Sequence, residues 1–182
     1  MRLRRIEEAF GDRVQVVWRS FLLRPEPVPG RTLEKFRTYT QSWLRPAADA
    51  DGGTFRVWQT DAGPPSHSIP PHVAAKAAAA MSRAAFQRLH ERLLHAYFAD
   101  NRDITDRETL RPLWREAELP EAAFARIDDP ALLTAVLDEH REALEIGVTG
   151  VPAVRHEGMD SAIVGAHPIE LYRRWIDRAL RT

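Results

Sequence analysis

The sequence contains no cysteine. A chain without cysteine forms no disulfide, offers no thiolate to a zinc ion and has no sulfur nucleophile of its own. Any covalent catalysis by these 182 residues therefore has to use oxygen or nitrogen groups.

Long apolar runs and an excess of one charge are also missing. No stretch approaches the roughly 20 apolar residues that a membrane-spanning helix needs. The 26 basic and 26 acidic residues balance, so the chain lacks the basic surface typical of nucleic-acid-binding proteins. It has no glycine-rich phosphate loop, and no histidine pair has the spacing of a metal site. We predict no nucleic-acid, membrane or metal partner.

The first residues do not follow the pattern of an export signal. Residues 2–5 carry three arginines, but Glu7, Glu8 and Asp12 lie where the apolar region of a signal peptide would follow. We therefore predict a cytoplasmic location. The composition, with 44% hydrophobic and 29% charged residues, is that of an ordinary globular domain.

Apolar periodicity predicts an α/β protein interrupted by a helical block. Residues 13–23 are rich in β-branched and aromatic side chains and predict a buried strand. Further strands are predicted at 151–156 and 161–165, and a short extended segment at 54–58. Helices are predicted over 2–10, 32–44, 72–100 with an interruption at Ser82, from 105 onward with a capping box, and over 119–127, 130–146 and 168–180. The proline-rich residues 63–71 mark the strongest boundary, so we predict three segments: 1–65, a helical insertion at 66–146, and 147–182.

Three ordered motifs resemble one known family. Residues 16–25 read Val-Val-Trp-Arg-Ser-Phe-Leu-Leu-Arg-Pro, and residues 94–106 contain Ala-Tyr-Phe followed by Asp-Ile-Thr-Asp. Residues 147–154 read Gly-Val-Thr-Gly-Val-Pro-Ala-Val, and Val-Gly-Ala-His-Pro follows at 164–168. In this order they resemble the DsbA-like, FrnE-type thiol-disulfide oxidoreductases, relatives of the 2-hydroxychromene-2-carboxylate isomerases and kappa-class glutathione transferases. The resemblance covers nearly the whole chain and implies a thioredoxin-like α/β fold with an all-helical insertion.

The resemblance fails at the start of the chain. Members of the family open with a strand that leads into Cys-Pro-Trp-Cys or a variant, and here both are missing. The resemblance places that first strand between the strands at 13–23 and 151–156, and typical element lengths put the absent piece at roughly 10 to 20 residues. We therefore expect a truncated chain or a wrongly assigned start in preference to a naturally cysteine-free protein. The gap in the sheet would favour a homodimer.

The resemblance also places a substrate loop around Pro152. Thr149 and Gly150 would shape this loop, the backbone of Val151 would pair with an extended substrate, and Pro152 would follow a cis peptide bond. Ser68 is a second candidate, since it would either bind a ligand such as a glutathione carboxylate or cap the helix that begins beside it, and we favour capping. We predict no catalytic residue within the chain.

Three functions stay open at this point, and with them the question of whether the chain is an enzyme. By resemblance it is a thiol-disulfide oxidoreductase without its redox cysteines, truncated or inactive, whose partner is a thiol- or disulfide-containing protein or small molecule. The first alternative is a glutathione-dependent isomerase or transferase, the one case in which we expect a cofactor, glutathione. The second is a redox-inactive peptide-binding or chaperone-like module.

Overall fold

A computed structural model describes residues 2–49 and 52–181 of the chain. Within these residues lie eight α-helices, three 3₁₀ segments and two short β-strands. The helices are α1 (Arg2–Phe10), α2 (Leu33–Thr40), α3 (Leu44–Ala47), α4 (Ile69–Ala79), α5 (Arg83–Phe98), α6 (Arg107–Glu116), α7 (Pro130–Glu145) and α8 (Ile169–Ala179). The strands are β1 (Ala153–Arg155) and β2 (Ala162–Val164), and the 3₁₀ segments are Gly11–Arg13, Gln41–Trp43 and Glu121–Asp128. No helix in this part of the chain is both long and apolar enough to cross a membrane.

Contacts group the residues into two compact units. One unit, here called the terminal unit, comprises Met1–Arg19 together with Glu142–Thr182. The other, the central unit, is the continuous stretch Ser20–Arg141. This grouping follows contacts alone, and the predicted segments 1–65, 66–146 and 147–182 stay a prediction.

The core of the terminal unit is formed by its first and last helices. The apolar side chains of α1 and α8 recur at helical spacing, so each helix presents one apolar stripe. The four buried members of the cluster are Ile6, Phe10, Ile169 and Tyr172. The Tyr172 hydroxyl donates to the carbonyl of Gly165 at 3.1 Å, so this buried ring also satisfies its polar end.

Strands β1 and β2 form an antiparallel hairpin beside this core. Their register pairs Ala153 with Val164, Val154 with Ile163, and Arg155 with Ala162. The backbone N–H of Gly165 donates to the carbonyl of Pro152 at 2.8 Å, which extends the ladder by one residue. The two strands predicted at 151–156 and 161–165 are thus present, each shortened to three residues.

The predicted buried strand at 13–23 is wrong. Residues 14–20 form no regular secondary structure, although their side chains alternate between half-buried and exposed from Val14 to Arg19. The backbone of Val14 is extended, with φ −139° and ψ 129°, but within residues 2–49 and 52–181 the single sheet contains β1 and β2 alone. A strand requires hydrogen bonds to a neighbour. One donor in the segment, the N–H of Val16, instead bonds the carboxylate of Glu7 at 2.7 Å.

The central unit is built around small side chains on α4. Five residues of this helix are buried, and four of them are alanines. Alanine lets a neighbouring helix approach closely, and α5 supplies its own buried alanines and leucines to the contact. Trp114 of α6 and Phe124 of the third 3₁₀ segment complete the cluster, with ring centroids 5.7 Å apart.

The ends of several helices differ from the predicted bounds. The predicted interruption at Ser82 separates α4 from α5, and its hydroxyl caps α5 by accepting from the N–H of Ala85 at 3.0 Å. The capping-box helix begins at Arg107 with Asp106 as its cap, one residue later than predicted. The predicted helix at 32–44 is capped by Thr32 as expected but tightens into a 3₁₀ turn at Gln41–Trp43. The predicted helix at 119–127 is a 3₁₀ segment throughout.

A second core in the central unit consists of aromatic rings. Phe36, Trp43 and Trp58 are its buried members, and Tyr97 packs against them. Buried Thr40 supports this core, because its hydroxyl accepts from the N–H of Trp58 at 3.0 Å and donates to a carbonyl one turn earlier. The predicted extended segment at 54–58 belongs to no sheet. It is held by hydrogen bonds to side chains and by an isolated backbone hydrogen bond.

A partly buried polar cluster connects the start of the central unit to α7. Both oxygens of the Glu139 carboxylate accept a hydrogen bond, one from Lys76 Nζ and one, at 2.7 Å, from the N–H of Ser20. The N–H of Leu22 donates to Nδ1 of His140 at 3.2 Å. Two residues of the segment that forms no strand thus find their backbone partners on a helix.

His72 lies beside this cluster, near the charges of Glu139 and Lys76. Burial lowers the pKa of His72 to about 4, from an ordinary value of 6.5. Glu139 acts in the opposite direction, while Lys76 and His140 add to the lowering. The folded chain therefore holds His72 neutral across the physiological range.

The pKa of His72 predicts that stability falls in mild acid. The unfolded chain binds a proton at this imidazole below about pH 6.5 and the folded chain only near pH 4. Protonation therefore favours the unfolded state between these values, and we expect the free energy of unfolding to fall by about 2 kcal/mol from pH 7 to pH 5 through this group alone. Urea unfolding of wild type and His72→Gln at both pH values measures it. The exposed His156→Gln variant should keep the wild-type pH dependence, and an unchanged dependence in His72→Gln would contradict the assignment.

Candidate functional site

The loop at 147–152 begins where α7 ends. The N–H of Val148 donates to the carbonyl of Ala143 and that of Gly147 to Leu144, each at 2.9 Å. These two bonds form a Schellman motif, which requires a left-handed residue at its penultimate position. Gly147 has φ +77° and fills it. Val148 is buried, so the end of the helix is fixed and the loop starts from a defined point.

The next four residues are the predicted site residues, and they form one exposed turn. Thr149, Val151 and Pro152 are exposed and Gly150 is half-buried. Half of the Val151 surface is accessible (50%). The peptide bond between Val151 and Pro152 is cis, which is the isomer that the resemblance implied. The loop therefore presents backbone as well as side chains to solvent.

The backbone of Val151 has unused hydrogen-bonding capacity. Across the described ranges its N–H and C=O have no partner, whereas the carbonyl of the following Pro152 accepts from Gly165. An exposed, unpaired peptide group next to a strand is a point at which another extended chain can add. Exposed apolar side chains are also present elsewhere in the terminal unit, Leu144 at the end of α7 and Val164 in β2.

One carboxylate links three segments of the terminal unit near this loop. Glu142 of α7 accepts from Arg155 of β1 at 2.8 Å, and its other oxygen lies 3.6 Å from a guanidinium nitrogen of Arg19. All three side chains are substantially exposed, so the energetic contribution of each pair is small. Sequence reasoning missed this arrangement, because nothing in the spacing of three such distant residues indicates that they meet.

The loop carries no acid or base that titrates in the physiological range. Residues 147–153 contain no titratable side chain, and Thr149 has the single hydroxyl. Within residues 2–49 and 52–181 no cluster of histidine and acidic side chains could hold a metal ion. The arrangement at the loop is thus suited to holding a ligand through hydrogen bonds and apolar contact.

Ser68, the fifth predicted site residue, belongs to the central unit. It occupies the position before α4, but its side chain makes no capping hydrogen bond, so the favoured capping prediction is wrong. Its hydroxyl instead accepts from the N–H of Arg24 at 3.1 Å, and its own N–H donates to the Arg24 carbonyl at 2.7 Å. Two backbone-directed bonds therefore clamp Arg24, and ligand binding by Ser68 stays a prediction.

The sequence model of the DSBA-like thioredoxin domain family matches residues 1–177. No curated protein matches the sequence.

Two solved structures are similar in fold. A protein from Nitrosomonas europaea that bears the provisional name protein disulfide isomerase is 16% identical, with a TM-score of 0.78 over 99% of this chain and 88% of that one. The cytosolic disulfide reductase DsbM from Pseudomonas aeruginosa is 21% identical, with a TM-score of 0.63 over 87% of this chain and 82% of that one. At these identities the likeness shows the fold alone, and it confirms the predicted thioredoxin-like α/β class with a helical insertion.

The Schellman motif yields a prediction for Gly147. A Cβ at Gly147 would meet nothing within 4 Å, so the strain of φ +77° is the one cost of adding it. We expect Gly147→Ala to lower the free energy of unfolding by about 1 kcal/mol. Gly150 also has open space but no positive φ, so Gly150→Ala should change stability by less than about 0.5 kcal/mol. Equal losses for the two variants in chemical denaturation would contradict this explanation.

Proposed function

Because this chain belongs to the DSBA-like thioredoxin domain family, we propose that its residues form the substrate-holding part of a thiol-disulfide oxidoreductase. The substrate is an extended segment of a thiol- or disulfide-containing protein, bound at Thr149, Gly150, Val151 and Pro152. A cytoplasmic location belongs to the same proposal, and the description of the Pseudomonas aeruginosa neighbour as cytosolic supports it.

The unpaired backbone of Val151 is the observation that carries this proposal. Its N–H and C=O are exposed and without partners among the described residues, so an extended peptide can bond both as a strand would. The Val151 side chain, 50% exposed, offers apolar contact at the same point. Recognition through the backbone tolerates many different side chains in the bound peptide. An enzyme that acts on many disulfides requires this tolerance.

Disulfide exchange itself needs an atom that these residues do not have. In the exchange, a thiolate attacks one sulfur of the disulfide, a mixed disulfide forms and the other sulfur leaves as a thiolate. The chain contains no cysteine, so these 182 residues cannot supply the attacking thiolate. In the proposed oxidoreductase, that thiolate reacts with a substrate that the loop holds in place.

A second candidate is a redox-inactive module that binds extended peptides. The absence of cysteine favours it, and it uses the same loop. The genomic sequence upstream of Met1 distinguishes the two: an in-frame strand followed by Cys-X-X-Cys supports the oxidoreductase, and an in-frame stop supports the binding module. A lone serine in place of the cysteines would support a glutathione-dependent isomerase instead and would overturn both.

Peptide binding at the loop predicts a specific effect of Val151→Asp. A carboxylate at this position repels peptide carbonyls and removes the apolar contact, so we expect the affinity for a fluorescent, cysteine-free extended peptide to fall at least about fivefold. Fluorescence anisotropy measures the dissociation constants.

Met159→Asp is the matched control for this experiment. Met159 lies in the turn between β1 and β2 and is 47% exposed, close to the value for Val151. Its substitution introduces the same charge away from the loop and should leave affinity unchanged. Equal weakening in both variants would indicate nonspecific adhesion and would overturn peptide binding at Val151 under either candidate function.

The redox part of the proposal has a test of its own. The 182-residue chain should not accelerate the reduction of insulin disulfides by dithiothreitol, because it has no thiolate to exchange. A chain extended at its N-terminus by an upstream segment that contains Cys-X-X-Cys should accelerate this reduction at least about 100-fold. An inactive extended chain that still binds peptide would overturn the oxidoreductase and leave the binding module.

A further inference from the structure

A cavity of about 310 Å³ lies in the central unit, where the chain leaves Leu22 and enters α2. This volume is at the lower end of the range for small-molecule sites. Its wall consists of the turn at 28–30 and the side chains of Arg24, Arg31, Lys35, Phe36 and Tyr39. Three of these side chains are cationic, and the wall contains no acidic residue.

No carboxylate among the described residues balances the charge of the three cations in this cavity. In the described part of the chain, Arg24, Arg31 and Lys35 make no salt bridge. Elsewhere the chain pairs its guanidinium groups with carboxylates: Arg37 with Asp61, Arg92 and Arg102 with Glu116, Arg107 with Asp128, and Arg111 and Arg115 with Glu121. Uncompensated positive charge lining a concave surface attracts anions.

Arg31 is held in position with one nitrogen unused. Its guanidinium lies over the ring of Phe36, 4.2 Å from the centroid, and its Nη1 donates to the carbonyl of Pro65. Its Nη2 is buried and meets no acceptor in good hydrogen-bonding geometry among the described residues, although the Tyr97 hydroxyl lies close enough to support the guanidinium. A buried N–H without an acceptor is unfavourable, so a ligand oxygen at this nitrogen would remove that penalty as well as neutralise charge.

Arg24 and Arg31 are close enough for their positive charges to repel each other. Burial, and after it the positive charge of Arg24, lower the pKa of Arg31, while Tyr97 and Tyr39 act in the opposite direction. The backbone of Arg24 is itself fixed by its two hydrogen bonds with Ser68. The backbone from which the Arg24 side chain extends is therefore fixed by contacts that do not depend on a ligand.

Apolar surface accompanies the charge. Tyr39 and Val28 line the same cavity, and each is 53% exposed. Exposed aromatic and branched side chains beside cations form a surface suited to a ligand with one charged end and one apolar end.

We propose that this cavity binds a small organic anion. Its carboxylate or phosphate group lies among Arg24, Arg31 and Lys35, and its apolar part lies against Tyr39 and Val28. The guanidinium fork accepts either oxyanion in bidentate geometry.

Phenyl phosphate is the probe for the first test. Isothermal titration calorimetry with the 182-residue chain should detect its binding. Inorganic phosphate, which lacks the ring, and benzyl alcohol, which lacks the charge, should each bind at least about tenfold more weakly. No detectable binding of phenyl phosphate and of benzoate, or equal affinity for inorganic phosphate or benzyl alcohol, would overturn the proposal.

Variants then locate the site. Arg24→Gln and Lys35→Gln should each weaken the binding of phenyl phosphate roughly tenfold, because each removes a charge-assisted hydrogen bond. Arg31→Lys keeps the charge but loses the planar fork, and it should weaken binding as well. The control is Arg45→Gln, which removes one exposed positive charge of α3 outside the cavity wall and should leave affinity unchanged.

Two outcomes of the variant series are decisive. Equal weakening by Arg45→Gln and Arg24→Gln would show that net charge alone attracts the anion and would overturn the site. Thermal unfolding of each variant controls for folding, since Arg31 also packs on Phe36. Arg24 and Lys35 carry the test if the Arg31 variant is unstable, and unchanged affinity in both would overturn the proposal.

Discussion

The packing of α1 against α8 is the interaction on which the terminal unit depends. Its hairpin consists of two strands of three residues, and an isolated two-stranded sheet is marginally stable in water. The hairpin is ordered because Val154 and Ile163 pack on the buried cluster that the two helices form. The loop at 149–152 precedes β1 directly, so the position of every predicted residue in it depends on the same apolar contact.

The short sheet also leaves backbone N–H and C=O groups without hydrogen-bond partners. A sheet edge or an exposed turn with free N–H and C=O groups is the part of a protein that other chains bind most readily. In the terminal unit this applies to Val151. Binding and chemistry are therefore separated in this chain: the loop offers hydrogen bonds and apolar contact, and no residue offers the sulfur that disulfide exchange requires.

In the central unit, backbone groups of segments outside the helices find their hydrogen-bond partners on side chains. Ser20 and Leu22 donate to side chains of α7, and Trp58 donates to Thr40. Polar side chains thus take the place of neighbouring strands, and each such bond joins segments far apart in the sequence. Charge is also arranged differently in two places: several arginines on helix surfaces pair with carboxylates, whereas Arg24, Arg31 and Lys35 line a cavity whose wall contains no acidic residue.

The sequence by itself determined what depends on neighbours within about five residues. The helical spacing of α1 and α8, the cap at Thr32, the interruption at Ser82, the glycine at 147 and the exclusion of thiol chemistry are local properties, because helix hydrogen bonds and capping bonds connect residues close in the chain. Three ordered motifs added the fold class. The tertiary structure decided the rest: residues 13–23 form no strand, the Ser68 hydroxyl bonds Arg24 rather than its own helix, and three cations share one cavity. A ladder, a side-chain clamp and a cavity each need partners distant in sequence, and periodicity carries no information about which distant residues meet.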